Sequence, residues 1–113
     1  MSKKPKLGIG LIGTGFMGKA HVFGFTSAPR VFDLPYDIEL KMVADLTPEL
    51  AVQARDALGF EIGTYDWRNM LSDPDIDVID ITAPNALHKE MALAAIAAGK
   101  HVYCEKPLAR LQA

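Results

Sequence analysis

Along the chain, apolar and polar positions alternate between short segments typical of strands and longer segments typical of helices. Short apolar runs rich in Ile, Val and Gly predict five strands. These runs lie at residues 6–13, 38–45, 61–65, 77–84 and 101–105. The apolar end of the second run is nearly continuous, which is typical of a parallel strand buried on both faces.

Helix signals occupy the segments between these strands. The predicted helices lie at residues 16–25, 47–59, 66–73 and 86–99. Thr47 is a suitable N-cap and Pro48 a suitable first helical residue. Asp66 can cap the short third helix, whereas Gly59 and Gly99 mark the C-terminal ends of the second and fourth.

The order of these elements indicates the fold class. Strands and helices that alternate from end to end predict an α/β domain with helices on the faces of a parallel sheet. A loop with two prolines, residues 28–37, separates the first helix from the second strand, and residues 106–113 resemble the opening of another helix. We expect a doubly wound sheet of strand order 3-2-1-4-5 in one domain, residues 1–113.

The composition fits a single globular domain and limits its partners. Half of the 113 residues are hydrophobic, and 12 Lys and Arg against 14 Asp and Glu give a formal net charge of −2. The basic residues are scattered rather than gathered into a stripe, so we expect no nucleic-acid partner. No apolar segment reaches the roughly 18 residues that a membrane-spanning helix needs, so we expect no membrane association.

Cysteine and histidine usage bears on compartment and metals. The single cysteine, Cys104, cannot form an internal disulfide, and nothing requires an oxidising compartment. The basic N-terminus resembles a secretory signal superficially, but its apolar stretch is crowded with glycine and interrupted by Lys19. We therefore expect a cytoplasmic protein. The histidines and Cys104 lack zinc-ligand spacing, and the acidic run at residues 73–77 lacks the rest of a calcium loop, so we expect no metal.

Three glycines between the first strand and the first helix form the pattern Gly-x-Gly-x-x-Gly. In this setting Gly13 allows a tight turn, Gly15 lets a diphosphate approach the backbone, and Gly18 allows the helix to pack closely. The backbone amides at the start of the helix, at Phe16 and Met17, would point at the phosphates. A simple strand-to-helix bend is the alternative, but the surrounding β-α-β unit favours a dinucleotide-binding loop.

An acidic residue follows the second strand, where a dinucleotide-binding domain holds the adenosine ribose. Asp45 occupies this place, and the loop at residues 27–37 lengthens its separation from the glycines. Its carboxylate would repel a 2′-phosphate, which favours NAD over NADP. Alternatively, Asp45 only caps the turn before Thr47.

Two further segments follow the predicted fourth and fifth strands. They contain Thr82-Ala83-Pro84-Asn85 with His88 three residues on, and Glu105-Lys106-Pro107. Together with the glycine loop and Asp45, these motifs make the chain resemble the N-terminal domain of the Gfo/Idh/MocA oxidoreductases. The resemblance covers practically the whole chain, and Glu105-Lys106-Pro107 is its most specific element.

The resemblance implies an NAD(P)-dependent dehydrogenase that transfers hydride between a nicotinamide and a sugar, inositol or related polyol. It places Thr82, Pro84 and Asn85 along the cofactor, with His88 nearby. It assigns Glu105 and Lys106 to the nicotinamide end, where Lys106 reaches the nicotinamide ribose and the substrate. An ammonium at that place would stabilise negative charge developing on the substrate oxygen. The alternatives are a solvated lysine at a strand end and, for His88, an ordinary surface residue.

The resemblance also implies a second domain, absent from this chain, that supplies an aspartate and a histidine as acid/base groups and most of the substrate contacts. We therefore expect this chain to bind cofactor without turnover. The uncovered apolar surface favours self-association, so we expect a homo-oligomer.

Other interpretations of the same residues remain open at the level of sequence. A non-catalytic dinucleotide sensor or scaffold could keep the fold without the reaction. A methyltransferase that binds S-adenosylmethionine could also use a glycine loop with an acidic residue after the second strand. Trp67, Phe23 and Phe25 are interpreted as packing residues, and Cys104 as a buried strand residue.

Overall fold

The structure is a computed structural model, and it describes residues 4–31, 33–83 and 85–104. Five strands form one sheet in which every neighbouring pair is parallel. They are β1 (Lys6–Ile12), β2 (Asp37–Ala44), β3 (Ile62–Thr64), β4 (Val78–Ile81) and β5 (His101–Cys104). Their order is β3-β2-β1-β4-β5, which confirms the predicted doubly wound topology.

The helices connect the strands and lie on both faces of the sheet. They are α1 (Phe16–Val31), α2 (Pro48–Leu58) and α3 (Asn85–Ala97), with a short 3₁₀ helix at Trp67–Met70. In the part of the chain that the structure describes, no helix combines the length and the apolar character needed to cross a bilayer.

Alternate side chains of the strands pack into two separate cores, one on each face of the sheet. Leu11 and Val43 point to the face covered by α1 and α2, where they pack with Val22, Ala54 and Phe60. Their chain neighbours point to the other face, which α3 covers. That larger core contains Ile12, Met42, Ala44, Met70, Ile76, Ile79, Ile81, Met91, Ala92 and Ala95. Burial of a Leu or Val side chain contributes about 1.5–3 kcal/mol, so apolar contacts on both faces hold the sheet in its register.

The five strands end in a single row. Ile12 pairs with Ala44 on one side and with Ile81 on the other, and these pair in turn with Thr64 and Cys104. The loops that follow the strands therefore leave the sheet at one common edge, which is where open α/β sheets bind their ligands.

The capping signals in the sequence are confirmed. The Thr47 hydroxyl accepts a hydrogen bond from the Leu50 amide at 3.1 Å, and Asp66 caps the 3₁₀ helix through its carboxylate and the Arg68 amide. Gly59 and Gly99 adopt positive φ values of 83° and 81° after α2 and α3. Left-handed backbone is available to glycine at little steric cost, so these helices end where the sequence predicts.

The first helix differs from its prediction. It continues to Val31, whereas the sequence predicted an end near residue 25 and a loop over residues 28–37. Pro29 lies inside the helix. Pro29 has no backbone N–H to donate to the Phe25 carbonyl, so one helical hydrogen bond is lost there, yet the helical geometry continues to Val31.

The predicted packing residues have different environments. Trp67 packs against the larger core, as predicted. Phe25 is half-buried. Phe23 is 73% exposed, so its assignment as a packing residue is wrong for the part of the chain that the structure describes. It faces outward because Val22, its chain neighbour on α1, takes the inward position.

We expect the substitution Thr47→Ala to lower the free energy of unfolding by about 1 kcal/mol, because the Leu50 amide loses its acceptor. Urea denaturation followed by circular dichroism measures this loss. Gln53→Ala on the exposed side of α2 is the matched control and should change stability by no more than about 0.5 kcal/mol. Equal stability of the two variants would contradict the assigned cap.

Candidate functional site

The glycine turn, residues 13–18, follows β1 at the common edge of the sheet, between β2 and β4. Gly13 adopts a φ of 94° and donates its amide hydrogen to the Ala44 carbonyl of β2 at 3.1 Å. From the other side, the Thr82 hydroxyl lies 2.8 Å from the Gly13 carbonyl oxygen and 2.9 Å from that of Ile12. Contacts from both neighbouring strands thus hold the turn in place.

Gly15 and Gly18 meet different surroundings. A β-carbon on Gly18 would lie 2.4 Å from the Gly13 carbonyl oxygen and 3.1 Å from the Thr82 hydroxyl oxygen. A β-carbon on Gly15 would meet no described atom within 4 Å. Gly18 therefore permits close packing of the helix, whereas Gly15 leaves open space beside the backbone. This arrangement fits the approach of a diphosphate.

The open space at Gly15 lies at the N-terminus of α1. The Lys19 amide donates to the Gly15 carbonyl at 3.1 Å, so the helical hydrogen bonds begin there. The first amide groups of a helix have no acceptor within the helix, and the helix dipole favours an anion beside them. Phe16 and Met17 supply backbone groups of this first turn, and Met17 is 41% exposed.

Asp45 follows β2 and faces the glycine turn. One carboxylate oxygen accepts from the Leu46 amide at 2.7 Å, and the other accepts from the Thr14 hydroxyl. The Asp45 amide donates to the Thr64 carbonyl at 3.0 Å, which ties this residue to the end of β3. The Asp45 carboxylate thus makes the contact with the following turn that the alternative interpretation predicts, and it also contacts the glycine turn through Thr14. The contact of the Thr14 hydroxyl with this carboxylate was not predicted from the sequence.

The segment after β4 is fixed from inside the protein. The Thr82 amide donates to the Ile12 carbonyl at 2.8 Å. The His88 side chain is only 2% exposed, and its Nε2 forms a hydrogen bond with the Ala83 carbonyl. The alternative interpretation of His88 as a surface residue is therefore wrong. Its ring instead holds the loop onto α3, and a direct contact with a cofactor stays a prediction.

The remaining predicted site residues cannot be placed in this geometry. Pro84, Glu105 and Lys106 lie outside the described residues, as do the side chains of Phe16 and Asn85. Their assignments to the cofactor, and that of Lys106 to catalysis, stay predictions.

A buried contact between a histidine of α1 and an aspartate of β4 was also missed. His21 of α1 contacts Asp80 of β4, and the Asp80 side chain is fully buried. The signal in the sequence was an acidic residue within the apolar run Val78–Ile81. A buried carboxylate of this kind requires a partner.

A parallel sheet of this order, with a glycine turn and an acidic residue at its switch point, defines a dinucleotide-binding α/β domain. Residues 7–113 match the family described as "Oxidoreductase family, NAD-binding Rossmann fold", the Gfo/Idh/MocA family. The chain belongs to this family and carries its N-terminal, NAD-binding domain. The methyltransferase alternative is therefore wrong.

Named relatives agree with this assignment. The chain is 52% identical over 105 residues to levoglucosan dehydrogenase of Pseudarthrobacter phenanthrenivorans, covering 92% of this chain and 27% of that protein. It is 35% identical over 102 residues to inositol 2-dehydrogenase/D-chiro-inositol 3-dehydrogenase of Lactiplantibacillus plantarum, covering 89% of this chain and 27% of that protein. A solved structure of levoglucosan dehydrogenase in complex with NADH matches with a TM-score of 0.89 and 52% identity, covering 93% of this chain and 29% of that one.

We expect Gly18→Ala to destabilise the protein by about 1–3 kcal/mol, because its β-carbon would overlap the Gly13 carbonyl. Gly24→Ala lies on the same helix, where a β-carbon meets no described atom within 4 Å. It should leave stability unchanged or raise it by up to about 1 kcal/mol. Urea denaturation of both variants checks this contrast, and a Gly18→Ala variant as stable as Gly24→Ala would contradict the packing described.

Proposed function

We propose that the whole protein is an NAD-dependent dehydrogenase that interconverts a secondary alcohol and a ketone on a sugar or polyol. The present chain would be its cofactor-binding domain, since it spans about a quarter of the length of the curated relatives it matches. Support for the reaction comes from those relatives, which are named as dehydrogenases of levoglucosan and inositol. Support for the cofactor comes from the site itself.

The observation that carries the proposal is the open space at Gly15, beside the first turn of α1. Bare backbone there can accept a diphosphate, and the amides of residues 15–17 can donate to it. Asp45 lies at the end of the next strand, where its carboxylate can accept hydrogen bonds from ribose hydroxyls. When bound, NAD supplies the acceptor for the hydride that leaves the alcohol carbon.

The loop after β4 would guide the nicotinamide half of the cofactor. Thr82 and His88 fix this loop through the Gly13 and Ala83 carbonyls. Within the proposal, Pro84 and Asn85 lie along the cofactor and Glu105 supports the nicotinamide end. The Lys106 ammonium would stabilise negative charge on the substrate oxygen. These assignments rest on the motifs and on the family.

The substrate class follows from the relatives. Levoglucosan and inositol are ring compounds with several hydroxyl groups, so we propose a cyclic polyol or sugar as the substrate. The acid/base groups would come from a part of the protein beyond this chain, which by itself would bind cofactor without turnover. We further propose that the whole protein is a cytoplasmic homo-oligomer.

The substitution Gly15→Ala separates cofactor binding from folding. A methyl group there meets no described atom, so the free energy of unfolding should stay within about 0.5 kcal/mol of the original value. The same methyl group would occupy the space proposed for the diphosphate. We expect the dissociation constant for NADH to rise at least about tenfold, which corresponds to about 1.4 kcal/mol.

Fluorescence titration with NADH measures this effect, with Gly24→Ala as the matched control that should bind like the unchanged protein. Two results would contradict the proposal. One is an unchanged protein that gives no binding signal up to millimolar NADH. The other is a Gly15→Ala variant that binds as tightly as the Gly24→Ala control.

The charge of Asp45 should determine the preference for NADH over NADPH. We expect Asp45→Asn to shift the ratio of the two dissociation constants toward NADPH by about tenfold, because the variant removes a carboxylate that repels the 2′-phosphate. Asp56→Asn, an exposed change on α2, alters the net charge equally and should leave the ratio unchanged. Parallel titrations with both cofactors measure the ratios, and equal shifts in the two variants would refute a local effect.

A further inference from the structure

The buried pair of His21 and Asp80 lies between α1 and the middle of the sheet. Asp80 is fully buried, and it pairs in the sheet with Leu11 of β1 and Tyr103 of β5. The Nδ1 atom of His21 lies 2.7 Å and 2.9 Å from the two carboxylate oxygens. An ionised carboxylate can only accept, so Nδ1 carries a proton and donates it to Asp80.

Water is largely excluded from this pair. The His21 side chain is 8% exposed, and the Tyr103 ring lies beside it with the ring centroids 5.0 Å apart. A buried histidine–carboxylate contact is a weak source of stability, because the lost hydration of the two groups offsets their attraction. Apolar residues of similar volume are often as good or better in its place. Stability alone therefore gives little reason for these two residues at this position.

The pair does restrict the orientation of α1 on the sheet. A hydrogen bond depends strongly on angle and distance, whereas apolar contacts allow a helix to slide and rotate. His21 lies three residues beyond Gly18 on α1, and Asp80 lies two residues before Thr82 on the strand that holds the glycine turn. His21 thus attaches α1 to β4 through Asp80, and two residues further along the chain Thr82 attaches the loop after β4 to the glycine turn that precedes α1.

We propose that the His21–Asp80 pair is a positioning device for the cofactor site, which fixes the orientation of α1 so that its first amides converge on the diphosphate. The proposal rests on the proposed function for its ligand. Neither residue is catalytic, since both act through the helix and the strand that carry them.

The test replaces the pair with apolar residues of similar size. The double variant His21→Phe/Asp80→Leu keeps a ring beside Tyr103 and removes both polar groups. We expect its stability to urea to equal or exceed that of the unchanged protein. Its dissociation constants for NADH and for ADP-ribose should nevertheless rise by about tenfold. The single variant Asp80→Asn keeps an oxygen acceptor for Nδ1. Its dissociation constants for NADH and ADP-ribose should therefore stay within about threefold of those of the unchanged protein.

A readout without ligand separates this proposal from the proposed function. Amide hydrogen exchange of the free protein should be faster at residues 15–18 in the double variant and unchanged in α2. A protein that fails to bind NADH would contradict the proposed function only, because the exchange data still decide the role of the pair. Unchanged exchange at residues 15–18, or a double variant that binds NADH as tightly as Asp80→Asn, would overturn the positioning role.

Discussion

The structure of the site depends on hydrogen bonds that hold the glycine turn from both sides. The Ala44 carbonyl of β2 accepts from Gly13, and the Thr82 hydroxyl after β4 contacts the Gly13 carbonyl. These contacts are possible because β1, β2 and β4 end in the same row of the sheet. With the turn fixed, the space beside Gly15 stays open and the first turn of α1 faces it.

Apolar and polar residues have separate tasks in this domain. Apolar side chains on both faces determine the sheet and its order, whereas the buried polar side chains are engaged around the common edge and beneath it. Asp80 contacts His21, and His88 contacts the Ala83 carbonyl. In the described part of the chain, no buried side-chain nitrogen or oxygen lacks a hydrogen-bond partner. His88 links the loop after β4 to α3, and Asp80 links β4 to α1. These buried polar contacts therefore lie at or beside the elements that form the site.

Local signals made much of the fold predictable. Alternating strands and helices, with caps such as Thr47, were sufficient for the elements and the parallel sheet, whereas the strand order followed from the usual order of doubly wound sheets. The end of α1 was not predictable in this way, because Pro29 removes a helical hydrogen bond and is typical of a loop, yet the helix continues past it to Val31. The glycine turn and Asp45 were located by motif and spacing. Asp80 contacts His21, 59 residues away in sequence, and the burial of His88 depends on how α3 packs against the sheet. Periodicity reveals neither.

We propose that backbone amides at the start of α1 bind the diphosphate, and nuclear magnetic resonance can follow each of these amides during binding. Titration of isotope-labelled protein with ADP-ribose reports on each backbone amide separately. We expect the largest chemical-shift changes at the amides of Gly15, Phe16 and Met17, all following one binding curve. Saturable binding that leaves these three amides unmoved, with the changes located elsewhere on the domain, would contradict it.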